Sequence, residues 1–597
     1  MKRYLSIITA LAAAMLLQVS CYDLRFGDAF LGEHPESSGA TLDTLFSSSV
    51  NAEKVLVKAY SYLPYGLPVY LKDRYDGKEY DKLGINVLES ISDLNHSRRN
   101  NPSDGPVNLY YNGTYGSNIG SDYRGTEAYR FGDENEYRAI RYAWIYIENA
   151  ERIPDLSSMS RQRKVAEAKM VIAIAYSELL RYMGGVPLIK HSVDPNEEMY
   201  FPRATFAETV DYIVQLLDEA APYLNWKNDG TENGRMTKAG ALGLKLRILL
   251  WAASPTFNSA TPWHPQADAY TCYGNYDAER WKRAMDAGKE FFDELNANGK
   301  YQLTQATEKT HKGYRAAFRS AYYDRGGTEV LISTRRGYDV SCLEQFLTEV
   351  RYSGPTLNYV NMFAWDDGTD FDENFDWENP PRQPFFEADG TPTREPRLYE
   401  TCAVPGDTWR DGSVAPVYTN HPNYTVGTGF LQMKFVLNQD SDRAGKPIQW
   451  PYLRLPEVML SYAEAINEYN GGPDATAYKM INDVRARVGL PEIPQGLSQE
   501  EFREALIKER ALELGYEEVR WFDLVRWGRS QDFTKKLYGL QATGVGGTLT
   551  DPESFTFTVT ELASRNWAIN WDTKWYLAAF PQTEVDKGYG IVQNPGW

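Results

Sequence analysis

The feature that most constrains this chain is the apolar spacing in residues 161–183. Val165, Ala168, Ile172, Ala175, Tyr176, Leu179 and Met183 recur three and four apart, which places them on one face of a helix. Gly184 and Gly185 stop that helix, and Pro187 forbids its return. Similar periodicity fills about 135–152, 205–225, 237–253, 277–297, 453–470 and 474–488. A last long helix starts at Ser498, with Glu501 completing a capping box, and runs to about Trp527. Short connections join many of these helices, so the pattern predicts hairpins stacked like tetratricopeptide repeats. No clean repeat period can be read from the residues.

Between the helical segments the texture changes. Residues 299–450 are rich in Gly, Pro, Asn and Asp, with short β-like pieces at Val330–Thr334 and Gln432–Leu437. Two further irregular stretches cover 64–132 and 539–597. Loops this long usually carry function rather than connect. The expectation is a mainly α chain whose helical scaffold spans about 40–63, 133–298 and 451–530, packed against a loop-rich region with a few short strands.

The charge balance, 63 Lys and Arg against 81 Asp and Glu, gives −18, and no basic run interrupts it. Nucleic acid needs clustered cations and is excluded as a partner on that ground. The six histidines never fall at metal-ligand spacing, and phosphate-loop, dinucleotide and nucleophile-elbow motifs are missing. No catalytic residue, metal or cofactor is therefore assigned. The acidic run Asp366, Asp367, Asp370 and Asp372 reads as a solvated loop, with calcium as the lesser option. In 507–529 the charges Glu509, Arg510, Glu513, Glu517, Glu518, Arg520, Asp523 and Arg526 alternate along a helix among Trp521, Phe522 and Trp527. That pattern predicts a structural ion network, with Glu509, Glu513 and Glu517 on one face and Arg520 against Asp523.

Residues 1–20 read as a secretory signal, with Lys2 and Arg3 before an apolar stretch from Leu5 to Val19. Cys21 follows the small Ser20 and resembles the lipidated cysteine of a bacterial lipobox, although Leu17 stands one position early and Gln18 takes its place. A lipid on Cys21 would be the anchor. An ordinary secreted chain is the alternative. Cys272, Cys342 and Cys402 lack any C-x-x-C spacing and read as small buried residues.

Six segments in order along the chain resemble the SusD/RagB outer-membrane lipoproteins. They are 165–189 (VAEAKMVIAIAYSELLRYMGGVPLI), 235–255 (RMTKAGALGLKLRILLWAASP), 454–468 (RLPEVMLSYAEAINE), 481–490 (INDVRARVGL), the 507–529 segment and the terminus QNPGW at 593–597. The resemblance implies one SusD-like globule over 21–597, with four tetratricopeptide-like hairpins and a ligand site in the irregular region. It also implies a non-catalytic surface protein, held by its lipid in the outer membrane. Such a protein captures a nutrient and closes as a lid over a SusC-like TonB-dependent transporter. The matching segments are scaffold, so they carry no binding residue onto this chain.

Ligand contacts must then be sought among loop aromatics. The chain has 42 Tyr and 15 Trp against 24 Phe, so most of its rings carry a polar tip suited to half-wet surfaces. One loop offers Asn95, His96, Tyr110, Tyr111, Asn112, Tyr115 and Tyr123. A second offers Trp263, His264, Tyr270, Tyr273 and Tyr276, and a third Arg336, Tyr338, Trp365 and Trp377. Rings that stack on sugar C–H faces, beside side chains that read hydroxyls, favour an oligo- or polysaccharide. Peptide capture, as in the RagB branch, is the alternative, and a surface glycoside hydrolase a distant third. Replacing Cys21 with Ala should move the protein from the membrane to the soluble fraction on cell fractionation; retention in the membrane would remove the lipid-anchor reading.

Overall fold

The computed structural model describes residues 41–67, 87–97, 110–118, 135–194, 196–335, 353–409, 412–424, 427–436 and 449–597. Cys21, Tyr123, Arg336, Tyr338 and Cys342 lie outside them. The helices that build the scaffold are α1 (Ser49–Tyr60), α2 (Asn135–Asn149), α3 (Ser158–Met183), α4 (Phe206–Ala220), α5 (Lys238–Ala253) and α6 (Ala278–Asn298). They continue as α7 (His311–Tyr323), α8 (Leu455–Asn470), α9 (Ala475–Ala486), α10 (Gln499–Leu514) and α11 (Arg520–Arg526). From α1 to α6 each helix packs on the next; α8 then covers α6 and is itself covered by α9 and α10. This is the hairpin array that the periodicity predicts.

Local chemistry sets the ends. Ser157 caps α3, and α4 and α10 begin with capping boxes, Thr205 with Glu208 and Ser498 with Glu501. At the end of α3, Gly185 passes so close to the next segment that a Cβ there would lie 2.2 Å from the Ala204 carbonyl oxygen. Only glycine fits. The paired glycines thus bring the chain directly back towards α4.

The strands are short antiparallel pairs: β1 (Asn95–Ser97) with β3 (Ser353–Pro355), β2 (Val330–Thr334) with β6 (Trp450–Arg454), β4 (Cys402–Ala403) with β5 (Leu431–Gln432), and β7 (Tyr538–Val545) with β8 (Ser554–Glu561). β7 and β8 form a regular ribbon running from Tyr538 opposite Glu561 to Val545 opposite Ser554. One hydrophobic core follows the helices, and a second, built by Tyr359, Phe363, Trp365, Phe371, Phe375, Trp377 and Phe385, lies inside the region expected to be loops.

Two expectations need correction. α7 falls within the stretch read as loop; Thr310 caps it and Ala317, Phe318, Ala321 and Tyr322 form its buried face. The helix from Ser498 to Trp527 is broken. α10 ends at Leu514, and Tyr516 and Glu518 take left-handed backbone angles (φ 63° and 59°) before α11 begins. Such angles cost about 1–2 kcal/mol per residue. They are held by bonds to carbonyls and amides at the break. Lys434 Nζ donates to the carbonyls of Glu513 (3.1 Å) and Gly515 (2.9 Å), and the Glu518 amide donates to Glu89 Oε1 (2.9 Å).

The break redirects the charges. The network is structural, as its pattern predicts, but its partners come from other elements. Arg397, Arg454, Arg485, Arg487 and Lys434 face Glu329, Glu395, Glu509, Glu513 and Glu517. Glu513 is fully buried between Arg397, Arg454 and Arg487. Nearby, Arg520 pairs with Asp93 at 2.9 Å rather than with Asp523, which binds Arg510 and Arg526. Burial alone would raise the Glu513 carboxyl, but the three guanidiniums hold it down at about 2.

Removing one partner of a buried pair leaves an uncompensated charge, so Arg487→Met should cost about 3–5 kcal/mol in denaturant unfolding. The stability that Glu513 supplies is fully present above its unfolded value of 4.5 and is lost as pH falls from there towards 2. The wild-type midpoint should drop over that window, and Glu513→Gln should flatten the drop.

Candidate functional site

The sequence candidates separate by burial. Asn95 is fully buried in β1, accepting from the Tyr516 hydroxyl at 2.9 Å and donating to Ser90 Oγ at 2.8 Å. It holds the α10 break in place and is not presented to a ligand. His96 is buried against the Ala563 carbonyl, and desolvation lowers its imidazole to about 4. Tyr110 and Tyr115 stack on each other at 5.1 Å inside a ring cluster with Trp521, Trp567, Trp575 and Trp597. Tyr111 donates to the Ser90 carbonyl and accepts from the Ser97 amide. Among the described candidates of this first loop only Asn112 is exposed, and its carbonyl accepts from Asn566 Nδ2.

Trp365 and Trp377 also prove to be core. Trp365 packs on Phe371 and Phe375, with the Arg382 guanidinium 4.4 Å above its ring, and Trp377 packs on Phe385 and Phe557. Tyr273 is half-buried between Phe206 and the Arg280 guanidinium, which lies 3.6 Å from its ring centre. Tyr276 is exposed. The acidic run is exposed, with Asp366 and Asp370 paired to Arg382 and Lys508. Among the described residues no group of His, Cys, Asp or Glu is arranged to hold a metal.

Trp263 and His264 are placed differently. They meet two segments of the irregular stretch 539–597 from which no site residue was chosen, 566–577 and the carboxy-terminal 593–597. Trp263 lies 6.0 Å from the Tyr576 ring, and Trp571 lies 5.8 Å from the same ring. His264 Nε2 is 3.7 Å from Asp572 Oδ1, and Lys574 Nζ sits 4.5 Å over the Trp597 ring. The result is a patch of three half-buried indoles, Trp263, Trp571 and Trp597, with Asp572, Lys574 and the exposed Asn570 beside them.

The scaffold fixes this patch. Asn594, fully within the protein, donates to the carbonyls of Met183 at the end of α3 and of Ala578, and accepts from Arg203. Trp597 Nε1 donates to the Leu577 carbonyl at 3.0 Å, and Gly596 N donates to Gln266 Oε1. Trp571 Nε1 donates to Ser530 Oγ, which also bonds the Tyr576 hydroxyl at 2.7 Å. The Thr256 amide and hydroxyl pin the other loop to the carbonyls of Arg526 and Val525. The Trp263 Nε1 has no hydrogen-bond partner. Indole faces with short polar side chains at their edges can stack on the C–H face of a sugar and exchange hydrogen bonds with its hydroxyls.

Residues 347–597 match the SusD family. The chain superposes on a SusD-like protein from Bacteroides fragilis with a TM-score of 0.71 at 21% identity, over 94% of this chain and all of that one. The fold is SusD-like. It also superposes on a laminarin-binding SusD-like protein with a TM-score of 0.58 at 19% identity, over 92% of this chain and all of that one. A SusD-like protein of Formosa agariphila is 42% identical over 87 residues, which span 14% of this chain and 16% of that relative. Among the described residues no helix is long and apolar enough to cross a membrane.

The sorting into core and surface rings has a direct check. Trp567→Ala, deep in the ring cluster, should cost about 3–5 kcal/mol of stability. Trp263→Ala should shift the thermal midpoint far less, and equal losses would remove Trp263 from the surface patch.

Proposed function

We propose that this protein captures an oligo- or polysaccharide at the cell surface, held there by lipid on Cys21, and delivers it to a SusC-like TonB-dependent transporter. The observation that carries the binding step is the patch of Trp263 and Trp571 on the Tyr576 ring, with Trp597 under Lys574 beside it. It joins three half-buried indoles to Asp572, Lys574 and Asn570 on a frame tied to α3 and α11. A glycan fits this better than a peptide, because the patch offers ring faces and side-chain polar groups rather than an open strand edge for main-chain pairing. The SusD-like fold and the carbohydrate named for its laminarin-binding neighbour point the same way. The transporter and the outer-membrane location rest on the family resemblance and the lipobox.

Aromatic contacts supply about 0.5–1.5 kcal/mol each beyond buried area. Three of them give millimolar binding at best, so hydrogen bonds at the patch edge must provide the rest. Calorimetry with a polysaccharide panel that includes laminarin should find one glycan class bound and not broken down. Trp571→Ala and Trp263→Ala should each weaken that binding by about two- to tenfold without a comparable loss of stability. Unchanged affinity in both variants would remove the patch as the site, and binding of peptides alone would replace the glycan reading.

A further inference from the structure

A cavity of about 980 Å³ holds none of the residues of the indole patch. It lies between α7, the segment 383–392, the turn 405–408 and the start of β8. Its polar wall is built around Glu400, a buried carboxylate gripped by Arg315 Nε (2.7 Å) and by Arg319 Nε and Nη2 (2.7 and 3.0 Å). Arg315 also donates to the Tyr399 carbonyl. Glu400 and Asp407 together offset the two guanidiniums, which leaves the cavity little pull on an anion.

Asp407 is the unsatisfied group in this wall. It is 3% exposed; its Oδ1 accepts from the Thr408 amide at 2.8 Å and lies 3.5 Å from Arg315 Nη1, while its Oδ2 has no hydrogen-bond partner. A buried acceptor left unmade costs about 1–3 kcal/mol, so a donor arriving there gains more than an ordinary surface hydrogen bond. Arg315 beside it disfavours an incoming cation. A neutral hydroxyl is the donor that suits both constraints.

Gly406, next in the chain, is exposed and has φ +90°. A Cβ on it would lie 3.1 Å from the Phe386 ring and 3.5 Å from the Phe555 ring. The two half-buried phenyl rings therefore flank the bare backbone beside Asp407, and glycine gives the turn freedom to yield. Apolar ring faces next to an acceptor that lacks a donor match the two sides of a sugar ring.

We infer that this cavity is a second saccharide site, in which Phe386 and Phe555 stack on a neutral sugar residue and Asp407 Oδ2 accepts one of its hydroxyls. It shares the ligand class of the proposed function but no residue of the indole patch, so the two stand or fall separately. The test is calorimetry on the full-length protein with malto-, cello- and manno-oligosaccharides, in a Trp571→Ala background that weakens the patch. Residual binding should fall at least fivefold in Phe555→Ala and in Asp407→Asn. Ser554→Trp, at an exposed position on the cavity wall, should lower it at least as far. If all three variants leave the isotherm unchanged, or if no saccharide binds, the inference is overturned. Loss of binding on Trp571→Ala alone, with no residual signal, would leave the patch as the site and also remove the cavity. Residual binding sensitive to Phe555→Ala but wild-type affinity in Trp571→Ala would instead keep the cavity and remove the patch.

Discussion

The structure depends on a group of charges taken out of water. Arg397, Arg454 and Arg487 converge on Glu513, and each belongs to a different part of the chain: Arg397 to the short helix Pro396–Thr401, Arg454 to β6 and Arg487 to the end of α9. Isolated ions in such a place would be prohibitive, and pairing only offsets that cost when every partner is present. The cluster therefore acts as a joint with little tolerance. The helical array and the loop-rich region can meet in one register only, the one that matches every carboxylate with its cation.

That joint explains the broken helix. A continuous helix through 515–519 would keep Glu517 on the face set by its own periodicity. Ending α10 at Leu514 swings Glu517 onto Arg454 and Lys434. It also carries Tyr516 to Asn95 and lets Arg520 reach Asp93. The left-handed residues are the local cost of these long-range bonds. One consequence is that β1 and the ring cluster behind the indole patch are positioned by the same turn.

What could be read from the residues follows from the range of the interactions involved. Helices with several turns of regular apolar spacing, such as α3 and α5, and caps such as Ser498 with Glu501 are local and stood out. α7 did not, because its short run HKGYRAAFRSAYY sits in a Gly- and Pro-rich neighbourhood. The ion network was legible as structural, but its partners were not, since a pair such as Arg454 with Glu329 is fixed only by the fold. Loop aromatics were the least legible. Tyr110, Tyr115, Trp365 and Trp377 look like surface rings in composition, yet they build cores within regions poor in regular secondary structure. Trp571 and Trp597 were passed over because nothing in their local sequence shows that Trp263 lies nearby.

The two surfaces that remain are anchored separately. The indole patch rests on Asn594 and Ser530, hence on the end of α3 and on the short helix Ser530–Thr534 that follows α11. The phenyl-lined cavity rests on the Glu400 clamp of α7 and on β8. Trp571 contacts Phe533, Trp567 and Tyr576, whereas Phe555 contacts Tyr418 and Phe557, and no residue is common to the two sets. Changes at sites that share no partner add within a few tenths of a kcal/mol. The binding energy of each surface can thus be measured without disturbing the other, because the ion joint between the two regions holds the frame of both.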